Sequence, residues 1–543
     1  MNINIFFYYN SSMKKYLLQK SSSAISIFLL SAGTSYYVYY VYKKFLNSSA
    51  NMQIWNKIPF IKNKMENEIQ KMKEKEDEDT KKYYDKIVDN LKENGITTIN
   101  VKNINTIQTT GYSNETLIKY LHTLKELDPV PKLLSGTIYD EDDNKHKEIM
   151  KTAYNLYAYT NPMHADLFHS VVFMEKNLIV MISKLFLNDE TQCGSITNGG
   201  TESLFLALKT YRDLKCKCVT MAAKSNMNKI NVVAPDTVHC SVDKICHYLN
   251  IQLIKMKSND QHRVTVCDVL KTVNEYTACV VLSAPSYGFG IMDDVLNIAP
   301  AMKEKGIPLH VDACLGGFVW MFQEQEIKSK YSFRVDGVTS ISACFHKYGY
   351  SQKGVSCILY KNESYLKYQY FVTADWDGGL YVSPTILGSR SGGLVAQAWA
   401  GFLSRGYKEY EDSSNKIIAI AKYAHHGLNN IKACNVYPLD LHIVCFDVQK
   451  DTYKLYDYLS SKGYSLNALQ NPPAIHLCVT KNHDKKIIDA MIEEVETFIT
   501  NKNDLEYKDD MAPIYGMKSS IPVYKNEIMN ECILSYLINK YST

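Results

Sequence analysis

From about residue 110 onward, short runs of consecutive apolar residues alternate with stretches where apolar positions recur every three or four residues. Asn231 to Ala234 is an apolar run closed by Pro235, and Ser241 to Leu249 after it has helical spacing. Ile251 to Met256, Cys279 to Ser283, Pro308 to Asp312 and Gly337 to Ser342 repeat the strand pattern, with a helical stretch at Asp294 to Lys305. Strands apolar at nearly every position predict a sheet covered on both faces, and their alternation with helices predicts a mostly parallel one. Near residue 405 the pattern changes. A strand at Leu441 to Asp447 precedes a helix at Tyr453 to Ser461, and a strand at Ile475 to Val479 precedes a helix at Lys485 to Thr500. In that last helix Ile488, Met491, Ile492, Val495, Phe498 and Ile499 share one face. The expectation is a large α/β domain over 111–404 and a small α+β domain over 405–543.

The N-terminal part reads differently. After an N-terminal segment, 1–20, the 22 residues Ser21 to Tyr42 carry no charge. As a helix they reach ~33 Å, enough for a ~30 Å hydrocarbon layer. Their first half is aliphatic, and their second half holds Tyr36, Tyr37, Tyr39, Tyr40 and Tyr42, suited to a membrane interface. Lys14, Lys15 and Lys20 before a core ending in Ser31-Ala32-Gly33 also fit a cleaved signal peptide, but the uncharged stretch outlasts a typical one and favours a retained anchor. Residues 43–110 form a charged tether and N-terminal helical region. Mixed signs around Glu74 to Asp79 predict a solvated helix or spacer.

Charge and cysteines narrow the function classes. Lys+Arg is 61 against Asp+Glu 57, a net +4 that gives no field for gripping nucleic acid. All 14 cysteines lie at or after Cys193 without a CxxC pair, which predicts no metal site and reduced, buried thiols in a cytosolic domain. Lysines on both sides of the span leave its orientation undecided, so the thiols decide it: the catalytic part faces the cytosol.

Four features could carry chemistry. Thr197-Asn198-Gly199-Gly200-Thr201-Glu202-Ser203 runs into a helical stretch, where backbone N–H groups can face an anion, although such a turn is commonly only a turn. Asp312 closes a buried strand, and ligands bind at that edge of open α/β sheets. Lys347 follows the next strand beside His346 and Tyr348, where a plain surface lysine is the alternative. His239 follows the strand ending at Ala234, and a satisfied polar histidine is its alternative. Together they are the parts that hold pyridoxal 5'-phosphate: an anion site, a carboxylate for the pyridine nitrogen, an amine for covalent attachment and a flat ring to stack.

The chain resembles the sphingosine-1-phosphate lyase family, whose members are fold-type-I pyridoxal-phosphate enzymes related to the group II amino-acid decarboxylases. The motifs are Ser135-Gly136-Thr137-Ile138-Tyr139, Asn161-Pro162-Met163-His164, Gly199-Gly200-Thr201-Glu202-Ser203 and His310 to Gly317. His346-Lys347-Tyr348-Gly349-Tyr350 with Lys353-Gly354, Asp375-Trp376 with Gly378-Gly379, Ser383-Pro384-Thr385, Gly388-Ser389-Arg390 and Ile514-Tyr515-Gly516-Met517 complete the set. The resemblance implies a fold-type-I transferase fold with a mostly parallel large-domain sheet, a smaller C-terminal domain and one preceding transmembrane helix. It implies that Lys347 attaches the cofactor, Asp312 pairs with the pyridine nitrogen and His239 stacks on the ring. Gly199, Gly200, Thr201 and His346 would complete the cofactor site, with Gly388 and Ser389 reaching it from a neighbouring subunit of a homodimer. Asn161, His164 and Lys353 would bind the substrate's own phosphate, and Tyr139 and Tyr287 would contact substrate and transfer protons. The implied reaction is retro-aldol cleavage of a phosphorylated sphingoid base to a long-chain aldehyde and phosphoethanolamine, at the endoplasmic-reticulum membrane. An amino-acid decarboxylase, or a membrane-anchored homologue without catalysis, are the alternatives. Cys344-Phe345 departs from the polar Asp-Thr pair common in the family, which predicts weaker hydrogen bonding to the cofactor.

Overall fold

The computed structural model describes residues 109–501 apart from short gaps at 127, 141–142, 188–191 and 220–228, with isolated positions outside that range. The expected span at 21–42, the N-terminal segment 1–20 and the Ile514–Met517 motif lie outside the described residues. Among the described residues no helix is long and apolar enough to cross a membrane. In the tether, the described positions between 70 and 89 are helical and exposed, with a Glu78–Lys82 ion pair at 2.7 Å. Met1–Pro129 and Met517–Thr543 group as one unit, whose longest described element is the helix Asn114–Glu126; Val130–Gly516 forms the other.

The larger unit is built on a seven-stranded sheet: β1 (Cys193–Thr197), β2 (Asn231–Pro235), β3 (Gln252–Met256), β4 (Thr277–Ser283), β5 (Leu309–Asp312), β6 (Val338–Ala343) and β7 (Ser356–Tyr360). Their spatial order is β1-β7-β6-β5-β4-β2-β3. The sheet is mixed: β7 is reversed and antiparallel to both β1 and β6, whereas the β6–β5, β5–β4, β4–β2 and β2–β3 pairs are parallel. Consecutive residues of these strands feed opposite faces. Val232, Ala234, Cys279, Val281, Ile358 and Tyr360 enter one apolar cluster, whereas Val233, Val280, Leu282, Cys357 and Leu359 enter the other. The strands are therefore apolar throughout because both faces are covered, while each face keeps the two-residue period.

One face is covered by α3 (Gly200–Val219) and α4 (Ser241–Leu249), after α1 (Asn144–Tyr157) and α2 (His169–Leu185) in the chain. Leu204, Leu208 and Tyr211 of α3 recur at helical spacing and are buried. A helix α5 (Val295–Glu304) leads into β5, and α6 (Gly392–Asn429) packs on α1 and α2. The expected boundary at 405 falls inside α6, next to Gly406, whose φ of 65° and ψ of 172° break the helical path. Beyond it, β8 (Asn435–Val436), β9 (Ile443–Asp447), β10 (Asn467–Gln470) and β11 (Pro473–Cys478) form an antiparallel sheet ordered β8-β9-β11-β10. It carries α7 (Thr452–Ser461) and α8 (Lys485–Asn501). Ile488, Met491, Val495 and Phe498 of α8 are buried.

Candidate active site

Parallel strands deliver their carboxyl ends to one edge, so residues distant in sequence meet there. Ser283 ends β4, Asp312 ends β5, and Cys344 and Lys347 follow β6. They line one cavity of about 230 Å³, together with Gly200 and Thr201 at the start of α3, His239, Tyr287 and His346. All four sequence features that could carry chemistry therefore converge.

The glycine turn serves as an anion cradle. Gly199 has φ 135°, a conformation that L side chains avoid. A Cβ on Gly200 would stand 2.9 Å from Cys344 Sγ and 3.0 Å from Cys314 Sγ, so only glycine fits without displacement. The Glu202 carboxylate accepts from Asn198 N, Asn198 Nδ2 and Ile386 N, which holds the turn from outside. The first N–H groups of α3 have no intrahelical acceptor, and the helix dipole favours an anion there.

Asp312 is held, not merely placed. Its Oδ1 accepts from Cys314 N at 3.0 Å and from Ser342 Oγ at 3.4 Å. Ser342 Oγ also meets His310 Nε2 at 3.1 Å, while His310 Nδ1 meets Ser340 Oγ at 2.7 Å. Burial pushes His310 down to about 4, so this imidazole is neutral and works as a strut. These supporting residues were missed in the sequence. Their signal was there: Ser340 and Ser342, two apart, put hydroxyls on one face of a fully buried strand.

Lys347 is half-buried in a turn whose next residue, Tyr348, donates to Val479 O at 2.6 Å. Burial works against its ammonium, yet Cys344, Cys314 and Asp312 around it hold its pKa above the ordinary lysine value. His239 Nδ1 accepts from Ser241 N at 3.2 Å and meets Ser241 Oγ at 2.8 Å, which fixes the ring plane and leaves the proton on Nε2. An anion cradle, a buttressed carboxylate, an amine and a fixed flat ring in one cavity are the donor set that pyridoxal 5'-phosphate requires, and the residues present fit it.

Tyr139 and Lys353 stand together by Lys347. Ser135 Oγ ties the Tyr139 loop to β11, accepting from Cys478 N at 2.8 Å and from Asn467 Nδ2 at 2.7 Å. Lys353 Nζ lies 4.8 Å from the Tyr139 ring centre and donates to Thr137 O at 2.5 Å. Burial pushes the Tyr139 phenol above its ordinary value, and burial with the neighbouring Lys347 charge pulls Lys353 below its own. Tyr287 is 43% exposed and donates to Asn467 Oδ1 at 3.3 Å.

Asn161, His164, Gly388 and Ser389 are not among the cavity-lining residues. They form a second group: Asn161 Nδ2 donates to Ser389 Oγ at 3.1 Å, and Asn161 Oδ1 accepts from Arg390 N at 3.2 Å. Beneath it the Arg390 guanidinium makes two 3.0 Å bonds to the Glu175 carboxylate and one of 2.9 Å to Ile196 O. Lys353 and Tyr139 are not among the cavity-lining residues either, but Lys353 is near enough to Lys347 to feel its charge, whereas Asn161 and His164 group with the Gly388–Ser389 turn. Cys344 and Phe345 also separate. Cys344 lines the cavity at 3.4 Å from Ser356 Oγ, whereas Phe345 turns into the core 4.9 Å from the Phe318 ring. The expectation of buried thiols holds for most described cysteines, but Cys240 and Cys267 are exposed, on α4's approach and in the helix Val266–Thr272.

Residues 153–449 match the family described as pyridoxal-dependent decarboxylase conserved domain. The chain is 35% identical over 419 residues to sphingosine-1-phosphate lyase 1 of Rattus norvegicus, covering 75% of this chain and 72% of that one. It is 36% identical over 422 residues to the sphingosine-1-phosphate lyase of Arabidopsis thaliana, covering 75% and 76%. Among solved structures, the sphingosine-1-phosphate lyase of Burkholderia pseudomallei superposes with a TM-score of 0.68 at 28% identity, over 73% of this chain and 92% of that one. Glutamate decarboxylase of Lactobacillus brevis, at 21% identity and TM-score 0.63 over 74% and 95%, shares the fold.

Proposed function

The chain belongs to the sphingosine-1-phosphate lyase family, and from that premise we propose that it cleaves the C2–C3 bond of a phosphorylated sphingoid base. The products are a long-chain aldehyde and phosphoethanolamine. The observation that carries this reading is a cavity joining the α3 anion cradle, Asp312, His239 and Lys347, with the second cation, Lys353, beside Lys347 and Tyr139.

Pyridoxal 5'-phosphate, when bound, supplies an electron sink for the pair left on C2 as the bond to C3 breaks. The protein's residues do the rest. The start of α3 binds the cofactor phosphate. Asp312, kept rigid by Ser342 and the Cys314 amide, holds a proton on the pyridine nitrogen. His239 would cover the ring, and Lys347 would provide the amine that holds the cofactor. Tyr139, on the loop that Ser135 ties to β11 and beside Lys353, is the candidate for proton transfer at C2. Tyr287, the more exposed of the two, is suited to the C3 hydroxyl. Lys353 neutralises the substrate phosphate, a charge that a decarboxylase substrate lacks.

The second group supports a homodimer with shared sites: Gly388, Ser389, Asn161 and His164 would complete the partner's cavity. Nearby, the hairpin Phe371–Thr373/Tyr381–Ser383 exposes Phe371, Val372, Trp376, Leu380 and Val382, an apolar surface of the kind that interfaces cover. The uncharged span at 21–42 supports a single-pass anchor in the endoplasmic-reticulum membrane, with the catalytic part in the cytosol. A tethered site stays close to a substrate that partitions into lipid. Incubation with phosphorylated sphingoid base and, separately, free amino acids tests the reading. Aldehyde release is expected; carbon dioxide from an amino acid with no aldehyde would assign a decarboxylase instead.

A further inference from the structure

The cofactor cavity has a floor made of two thiols. Asp312 of β5 and Ser342 of β6 are register partners, and Ala313 N still bonds to Ser342 O one residue later. Cys314 and Cys344, each two residues past those partners, therefore leave neighbouring strands side by side. Neighbouring strands run about 4.8 Å apart, within the 4.4–6.8 Å Cα separation that a disulfide accepts. Both side chains point the same way. Their sulfurs lie 3.0 Å and 2.9 Å from one point, the place a Cβ on Gly200 would take, so they are less than about 6 Å apart. Each is held by a different hydroxyl, Cys314 by Ser342 at 3.3 Å and Cys344 by Ser356 at 3.4 Å. Both line the cavity, so a small oxidant entering it reaches them.

We propose that Cys314 and Cys344 are a dithiol modification site, which hydrogen peroxide converts to a disulfide, thereby loosening the cofactor. This rests on the cofactor reading above and adds its regulation. The Cys344 sulfur attacks a peroxide oxygen, the O–O bond breaks, and the departing oxygen leaves as water with the thiol proton, giving a sulfenic acid. The Cys314 sulfur then attacks Cys344, the S–O bond breaks, and a second water leaves with the Cys314 proton. Two thiols lose two electrons, and one peroxide gains them. The proton shared between the two thiols pulls Cys344 well below the usual thiol range, and the Lys347 and His346 charges add to this, which makes Cys344 the attacking sulfur.

Forming the S–S bond brings the sulfurs to about 2.05 Å. It draws Cys314 from Ser342 and Cys344 from Ser356. Because Cys314 N also holds Asp312 Oδ1, the carboxylate moves with the turn. Gly200, whose Cβ position would sit against both sulfurs, feels the same shift, so both the ring and phosphate anchors are disturbed.

The test uses the full-length holoenzyme treated with hydrogen peroxide, alkylated, digested and weighed by mass spectrometry. A Cys314–Cys344 peptide pair two hydrogens lighter than the reduced peptides is expected. It should appear in step with an about ten-fold weaker cofactor affinity, and dithiothreitol should reverse both. C314S and C344S should each lose the cross-link and the peroxide-induced cofactor loss. The inference is overturned if both thiols remain alkylatable, if either is oxidised without the other as partner, or if the disulfide forms with cofactor affinity unchanged. None of these readings requires turnover of a lipid substrate, so failure here is separate from failure of the lyase assignment.

Discussion

Removing the Glu175 carboxylate is expected to unfasten the Gly388–Ser389 turn from below. Arg390 and Glu175 have side chains only 6% and 16% exposed, so their two 3.0 Å bonds form largely out of water. In Glu175→Ala the guanidinium keeps Ile196 O as its remaining protein acceptor among those described here, and a buried cation stands without its counter-charge. Breaking a buried pair from one side costs about 3–5 kcal/mol, much more than an exposed pair contributes. At roughly 2–4 °C per kcal/mol for domains of 150–250 residues, and less for this larger unit, the melting midpoint should fall by about 5–10 °C. Arg390→Ala should cost a similar amount, since it strands a carboxylate that still accepts from Ile196 N at 3.3 Å. The double variant should lose clearly less than the two single losses added, because no unpaired charge remains. Differential scanning calorimetry on the four proteins measures this. Strict additivity, or a fall below 1 °C in both single variants, would refute the buried-pair argument.

Lys347→Ala should abolish the visible absorbance of bound cofactor and aldehyde formation together, whereas Asp312→Asn should keep colour but lose turnover; absorbance and product assays on the same samples separate them. Lys353→Ala should leave the cofactor spectrum intact and lower kcat/KM for the phosphorylated substrate roughly 30-fold, about 2 kcal/mol, the low end for a charge-assisted contact. Because the Lys353 pKa is depressed, wild-type KM should rise with pH before an ordinary lysine would lose its proton, and the variant should lack that rise. Asp293, buried and accepting from Ser283 N at 2.7 Å, has its carboxyl pushed up to about 7 by burial. Between its ordinary carboxylate pKa and that value the folded chain holds a proton that the unfolded chain has lost, so stability falls as pH rises through this window, by up to about 1.4 kcal/mol per unit. Asp293→Asn should flatten that slope in urea titrations from pH 4 to 7.

How much of this was legible beforehand depended on whether the signal was local. Continuous apolar runs such as residues 278–282 announce themselves, because burial on both faces favours apolar side chains at every position. The carboxylate at a strand end, the glycine turn before a helix and the lysine after the next strand were also readable, each being a short stretch with its own backbone demands. The helices α1, α2 and α6 and the reversed strand β7 were not foreseen. Strand direction leaves no mark on a residue pattern, and pairing between residues as distant as Cys193 and Tyr360 is a property of the whole sheet.

The sequence by itself determined the layered α/β class, the identity of the reactive side chains and their order along the chain, since propensity and hydrophobic period act over a few residues. Only the tertiary structure decided which of them share a cavity. It gathered Gly200, His239, Asp312 and Lys347 at one sheet edge and set Lys353 beside Lys347, yet grouped Asn161 and His164 with Ser389 instead. It also placed Cys314 beside Cys344, thirty positions apart, because register between neighbouring strands is fixed by hydrogen bonding along the ladder rather than by separation along the chain.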